Sequence, residues 1–282
     1  SGIIGGAALV KPDALFDHNT FWLAILTTIA FQITSNFAND YGDGVKGTDS
    51  QDRIGPKRAL QSGALSRRQL SIGIFIASAI SFVLTIWVVI RAFGSENLGY
   101  ALLFIVLGIL SIWAAIKYTV GDSAYGYKGL GDIFVFVFFG LLGVLGSMFL
   151  FIKTIPLISV LPAVSIGLLS VGVLNLNNLR DVNSDKLAGK NTMIVKMGFE
   201  KGKQYHALLL ILSFVCICVF LLSNGLHCVK FSCVIAFIPI FIHLGFVMKT
   251  KNPKLLDPEL KKLALSTFLL ALLFYISYIY FL

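Results

Sequence analysis

Four oxygen-bearing side chains end a long apolar run near the start of the chain. Asn36, Asn39, Asp40 and Asp43 stand at i, i+3, i+4 and i+7, so a helix continuing down from Phe21 carries all four on one face. A second polar cluster closes another apolar run: Asn175, Asn177, Asn178, Arg180, Asp181, Asn183 and Asp185. There Asp181 and Asp185 are one helical turn apart, and Asn177 lies one turn before Asp181. Neither cluster contains Cys or His. Carboxylates and amides without softer donors select a hard cation. Mg2+ suits best, because it keeps several waters and binds through one or two carboxylates plus substrate phosphates. The two faces predict a pair of Mg2+ sites bridged by a diphosphate, with Asp40, Asp43, Asp181 and Asp185 as the catalytic ligands and Asn36 and Asn39 beside them. A single Asp at mid-membrane costs about 2.5–3.5 kcal/mol on insertion scales, so four in apolar surroundings call for a cation or water.

The elements that position these residues are membrane helices. Of the 282 residues, 57% are hydrophobic and only 13% charged, and apolar stretches of about 20 residues recur from end to end, the length a bilayer-spanning helix needs. Eight full spans are expected, at 20–39, 67–90, 98–116, 132–152, 156–178, 205–223, 231–248 and 262–281. The opening Ser1–Val10 is apolar and Gly-rich but too short to span; it reads as the end of a first helix, which makes nine helices in all. The fold class is therefore an all-α polytopic membrane protein, one domain over 1–282.

A net charge of +9 suggests nucleic acid until its distribution is counted. The loops at 40–68, 117–128, 180–203 and 249–262 hold six, two, six and five Lys or Arg, while the alternate loops hold one each. This is a positive-inside bias, and it puts both Asp clusters toward the cytoplasmic side of the membrane. No aromatic-interleaved basic stripe accompanies it, so nucleic acid is not expected.

The loop after the first cluster carries Arg53, Lys57 and Arg58, suited to phosphate as forked or point-charge partners. The loop Gly121–Gly131 is rich in Gly and Tyr, allowing close backbone approach to a ligand. Tyr118, Tyr125 and Tyr127 either wall an aromatic or prenyl substrate or sit in an interfacial belt. Gly140, Gly143 and Gly146 predict close helix packing. The four cysteines lack zinc-ribbon spacing, and His206, His227 and His243 stand apart with no partner at ligand spacing. Both polar clusters begin Asn-x-x-Asn, follow an apolar helix and precede a basic loop, a weak internal repeat at four-helix spacing.

Several longer motifs then appear in order. Asn36-x-x-Asn39-Asp40-x-x-Asp43, the run from Arg58 to Gly63, and Asp181-x-x-x-Asp185 with Lys190 and Thr192 resemble the UbiA superfamily of intramembrane prenyltransferases. The fuller wording, Asn36 through Asp49, Asp52 through Pro56, Tyr125 through Asp132 and Asn177 through Asp185, is similar to its MenA branch, the 1,4-dihydroxy-2-naphthoate polyprenyltransferases. The resemblance implies a UbiA-type bundle of nine helices around a central cavity in the cell (inner) membrane, Mg2+ as cofactor, and a polyprenyl diphosphate donor. It implies an acceptor that loses its carboxylate as the chain is attached, giving demethylmenaquinone, and no obligate protein partner. It places diphosphate contacts at Arg53, Arg58, Lys117, Arg180 and Lys190. Substrate contacts fall at Asn177, Asn178, Tyr118, Tyr125 and Tyr127. The superfamily's Tyr-x-x-x-Lys element stands here as Trp113-x-x-x-Lys117, with Tyr118 adjacent. Other acceptors of the superfamily type, 4-hydroxybenzoate or homogentisate, are the nearest alternative, and a cation transporter is the alternative from another class.

Overall fold

The structure is a computed structural model that describes residues 1–10, 16–47, 57–224 and 228–279. Arg53, Asp49, Asp52 and His227 lie outside the described residues, as does the side chain of Cys228. Among the described residues the chain is all helix with connecting turns. Its main elements are α1 (Gly2–Ala8), α2 (His18–Lys46), α3 (Arg67–Phe93), α4 (Leu98–Lys117), α5 (Gly131–Ile152), α6 (Val160–Arg180), α7 (Phe199–Ser223), α8 (Phe237–Lys249) and α9 (Asp257–Ile279). Among the described residues, eight helical stretches are long and apolar enough to cross a membrane, one over each span expected from hydropathy, although the first runs on to Lys46 and the sixth starts at Phe199. The last helix begins earlier than the expected 262. Its first turn holds Asp257 and Glu259, which favour a helix N-terminus electrostatically and which side chains of other helices hold in place. Large apolar side chains such as Trp22, Phe75, Trp87, Leu102 and Ile242 are exposed, as lipid-facing surfaces require. The protein is a multi-pass membrane protein.

The chain divides into two compact units, one of Asp17–Gly131 with Asn183–Thr192, the other of Ser1–Phe16, Asp132–Val182 and Met193–Leu282. In the first, Asp17 caps α2, its carboxylate accepting from the Asn19 N–H at 2.9 Å, and also pairs with Arg91 of α3 at 2.9 Å. Gly47, at φ 72°, ends α2 in the left-handed conformation that glycine adopts without strain. Ser66 and Gln69 cap α3 reciprocally. Between α2 and α3, Thr34 and Ser81 share a buried hydrogen bond of 3.2 Å, and Thr85 of α3 packs onto Gly108 of α4. Polar contacts of this kind hold helices together where lipid supplies no hydrophobic driving force.

The second unit packs α6, α7, α8 and α9 around Leu169, Leu176, Leu210, Ile217, Phe237 and Phe274, all buried. Here α5 widens into a π-helical stretch over Phe136–Gly146, and the expected close packing is present at Gly140 and Gly143. A Cβ at Gly140 would lie 2.5 Å from the Gly167 Cα and 2.9 Å from the Ala163 carbonyl oxygen of α6. Because both obstacles are backbone, Gly140→Ala must push the helices apart, and we expect it to cost about 1–3 kcal/mol. Unfolding of the purified variant in detergent checks this; an unchanged midpoint would mean α5 and α6 yield freely.

Candidate active site

The last two turns of α2 present the first polar cluster as the spacing predicts, but its four members have different surroundings. Asp43 is 3% exposed. The Tyr127 hydroxyl donates to its Oδ1 at 2.7 Å, and the Arg58 guanidinium meets its Oδ2 at 2.9 Å. Asp40, also buried, accepts the backbone N–H groups of Ala59 at 3.0 Å and Leu60 at 3.3 Å. It thereby fastens to α2 the turn that carries Arg58. Gly44 lets Leu60 pack close to α2, a Cβ there standing 2.5 Å from Leu60 Cδ2. Asn39 is half-buried, with the Thr119 hydroxyl 3.2 Å from its Oδ1. Asn36 is exposed and accepts from Gln32.

The segment after the second cluster joins this same unit. The Asn191 N–H donates to the Tyr127 carbonyl at 3.0 Å, which ties the segment to the Tyr125–Lys128 turn. Lys190 is thereby buried, its ammonium 3.8 Å from Asp185 Oδ1 and 5.4 Å from the Tyr127 ring centre. Burial works against its charge, but Asp43 and Asp185 outweigh that and push its pKa above the ordinary lysine value. Lys190 therefore stays an ammonium, with Asp185 beside it and the charge of Asp43, from a distant part of the sequence, helping to hold it so. Lys46 lies over the Tyr127 ring at 4.0 Å.

Tyr118 and Tyr125 meet edge to face at 5.4 Å. The Tyr125 hydroxyl donates to the Ala114 carbonyl at 2.7 Å, anchoring the turn to α4, and burial, then Tyr118, pushes its pKa up. Gly126 permits this contact, since a Cβ there would come within 2.6 Å of the Tyr118 carbonyl oxygen. Lys117 is half-buried, its ammonium close to Gly121.

In the other unit, the end of α6 is organised by Arg180. Its Nε and Nη2 grip Asp181 at 2.8 and 2.6 Å, Nη2 also reaches Asn177 Oδ1 at 2.8 Å, and Nη1 reaches Asp257 of α9 at 2.8 Å. Arg180 and Asp181 are 5% and 6% exposed, so the pair is a buried, forked ion pair. Asn178 is buried. The guanidinium expected to contact diphosphate is here committed to Asp181, Asn177 and Asp257.

A family model described as the UbiA prenyltransferase family matches residues 1–260. The chain belongs to this family. A curated relative, the 1,4-dihydroxy-2-naphthoate octaprenyltransferase of Haemophilus influenzae, is 43% identical over 277 residues, spanning 97% of this chain and 89% of its own. The protein of the same name from Escherichia coli is 41% identical, spanning 97% and 88%. Among solved structures, a UbiA homolog from Archaeoglobus fulgidus bound to DMAPP and Mg2+ superposes with a TM-score of 0.60 at 15% identity, covering 100% of this chain and 94% of that one. A UbiA homolog from Aeropyrum pernix K1 gives 0.63 at 15% identity, over 94% of each. At these identities the two structures establish the UbiA-type helical fold.

For a UbiA-family chain the donor set fits a divalent cation. Among the described residues no three His, Cys, Asp or Glu side chains gather closely enough to hold a metal alone. Asp185 lies beside the Lys190 ammonium and Asp43 against the Arg58 guanidinium, so both buried carboxylates already face a cation. A pair of hard carboxylates completed by substrate phosphate and water is how Mg2+ is usually held.

Sequence reasoning missed Thr119 and Asp257 as partners of the polar clusters and Glu259 as the partner of His243, and it assigned Tyr127 to substrate without its bond to Asp43. Only Glu259 left a local signal, its i, i+3 spacing to Lys262. It also took His206 and His243 as separate, whereas their Nε2 atoms lie 3.0 Å apart. The rest are contacts between helices far apart in sequence.

Proposed function

We propose that the chain transfers a polyprenyl group from polyprenyl diphosphate to 1,4-dihydroxy-2-naphthoate in menaquinone biosynthesis, at the cytoplasmic face of the cell (inner) membrane. The reading rests on the nearly full-length likeness to relatives named for that acceptor. The site chemistry supports it. The allylic carbon–oxygen bond of the donor breaks, diphosphate leaves, and the ring carbon that bears the carboxylate gains the prenyl group as CO2 departs. Atoms and charge balance without a net proton, and the product is demethylmenaquinol, the reduced form of demethylmenaquinone.

In this reading Arg58 and Lys190 stabilise the charge that grows on the leaving diphosphate. Asp40 holds the Arg58 turn in place, and Tyr127 orients Asp43. Asp43 and Asp185, with Asp181 and the carboxylate of Asp40, are the ligands assigned to Mg2+, with Asn36 and Asn39 beside them. Bound there, Mg2+ supplies Lewis-acid neutralisation of the diphosphate oxygens. Lys117 and Arg53 are further diphosphate residues, Arg180 instead holds Asp181 in place, and Asn177, Asn178, Tyr118 and Tyr125 are the substrate residues.

Purified protein given 1,4-dihydroxy-2-naphthoate and a series of prenyl diphosphates is expected to give a prenylated product lacking the carboxyl group, with one diphosphate released per product. EDTA is expected to abolish the reaction and Mg2+ to restore it. A carboxyl-bearing product, or faster turnover of 4-hydroxybenzoate or homogentisate, would assign another acceptor. Full activity in EDTA would remove the metal.

A further inference from the structure

A line of buried polar side chains runs across the second unit, outside the residues used above. Asn175 Oδ1 of α6 lies 3.0 Å from His206 Nδ1 of α7. His206 Nε2 lies 3.0 Å from His243 Nε2 of α8. His243 Nδ1 lies 2.7 Å from Glu259 Oε2 of α9, and Lys262 pairs with the other Glu259 oxygen. Asn175, His206, His243 and Glu259 are 0%, 0%, 2% and 1% exposed. Lys262 is largely exposed at a groove of about 540 Å³ between α8 and α9, walled by Ile242, Phe246 and Leu265. Four helices thus each contribute one buried member. Ionisable groups buried this fully within the helices of a membrane protein are costly, and by default they point to function.

The hydrogen-bond inventory fixes the order of donors along the line. A neutral imidazole has one donor and one acceptor nitrogen, and an ionised carboxylate only accepts. With Glu259 ionised and both histidines neutral, His243 must donate from Nδ1 to Glu259. Its Nε2 then accepts from His206 Nε2, and His206 Nδ1 must accept from the Asn175 amide nitrogen. Add one proton anywhere on the line, whether on Glu259, His243 or His206, and the order reverses at the far end. His206 Nδ1 then carries hydrogen, and Asn175 must offer its oxygen. With Oδ1 toward His206, Nδ2 is left buried without a hydrogen-bond partner; turning the amide over, as the line without the extra proton requires, would put Oδ1 there instead. The two ends of an amide are told apart by such bonding alone.

We propose that Glu259, His243 and His206 are positioning residues for Asn175, the proton count on the line deciding which edge of its amide turns away from His206. Asn175 heads the polar cluster of α6. In one state the outward edge is a hydrogen-bond donor, in the other an acceptor. The consequence for catalysis rests on the proposed prenyl transfer; the amide switch itself does not. The charged or titratable groups facing the histidine pair are Glu259 and Lys262 from α9. From α7, one turn before His206, Lys203 bonds instead to the carbonyls of Met248 and Thr250. From α6 the facing group is the neutral Asn175.

The test is nitrogen-15 magnetic resonance on the full chain in lipid nanodiscs, following the Asn175 side-chain amide and both imidazoles from pH 4 to pH 9. The Asn175 amide signal is expected to move with a single midpoint shared by the histidine signals. Glu259→Gln removes the carboxylate that stabilises the extra proton and is expected to abolish the transition or shift it to lower pH. Lys262→Met, an exposed change that spares the buried line, is expected to shift it to higher pH. An Asn175 signal that stays fixed across the range, or the same midpoint in all three proteins, would overturn the proposal and leave the line as interhelical packing. A pH profile of kcat sharing that midpoint, with KM unchanged, would tie the switch to catalysis. If the naphthoate is not prenylated at all, the functional reading fails while the resonance result still decides the switch.

Discussion

Asp43→Asn is expected to lower prenyl transfer by about 100- to 1,000-fold. The substitution keeps the shape and leaves Oδ1 to accept from Tyr127, so a loss reports charge and not geometry. What disappears is the anion that Arg58 touches and that, with Asp185, holds Lys190 charged while buried. In the proposed site a metal ligand and the order of the cationic groups around the diphosphate go together, so kcat is expected to fall along with donor affinity. Tyr127→Phe removes one hydrogen bond and no charge, and should cost about 10-fold or less, as expected of a single neutral donor. Initial rates at saturating naphthoate, with donor and Mg2+ each titrated, separate the two effects. An Asp43→Asn protein within a few-fold of the parent would remove Asp43 from the reaction and leave it as the acid that holds the Tyr127 and Arg58 loops.

The difference between those two variants mirrors what the sequence made legible. Apolar run length gave the helices, and the i, i+3, i+4, i+7 spacing put Asn36, Asn39, Asp40 and Asp43 on one face, because both signals are local and periodic. The identity of the neighbours was not local. Asp40 looks like Asp43 in the sequence, yet one is bound by two backbone N–H groups nineteen and twenty residues on, while the other meets a tyrosine 84 residues away. Only tertiary packing assigns loop anchoring to one and the cationic cluster to the other. The second cluster repeats the lesson. Asp181 and Asp185 share a helical spacing, but Arg180 binds Asp181 while Lys190 sits beside Asp185. His206 and His243 read as isolated because 37 residues separate them; a hairpin of two helices places them in contact, and no spacing rule announces it.

Arg180→Leu is expected to destabilise the protein by about 3–5 kcal/mol, the cost of stranding a buried charge. Arg180 spends its donors on Asp181, Asn177 and Asp257. Asp257, with its side chain 43% exposed, can turn to water, but Asp181 cannot without leaving its buried site. The stranded carboxylate then carries most of the penalty. A protein with both Arg180→Leu and Asp181→Asn should therefore recover a large part of the loss, a coupling that unfolding of all four members of the cycle in detergent measures directly. If the single and double variants unfold alike, the penalty comes from lost packing of the guanidinium and its bonds to Asn177 and Asp257. Activity measured on the same four proteins divides the roles of Asp181. Stability regained without prenyl transfer would assign Asp181 to the reaction and Arg180 to holding it there. Stability and turnover regained together would remove Asp181 from the reaction and would leave Asp185, Asp40 and Asp43 to carry the metal.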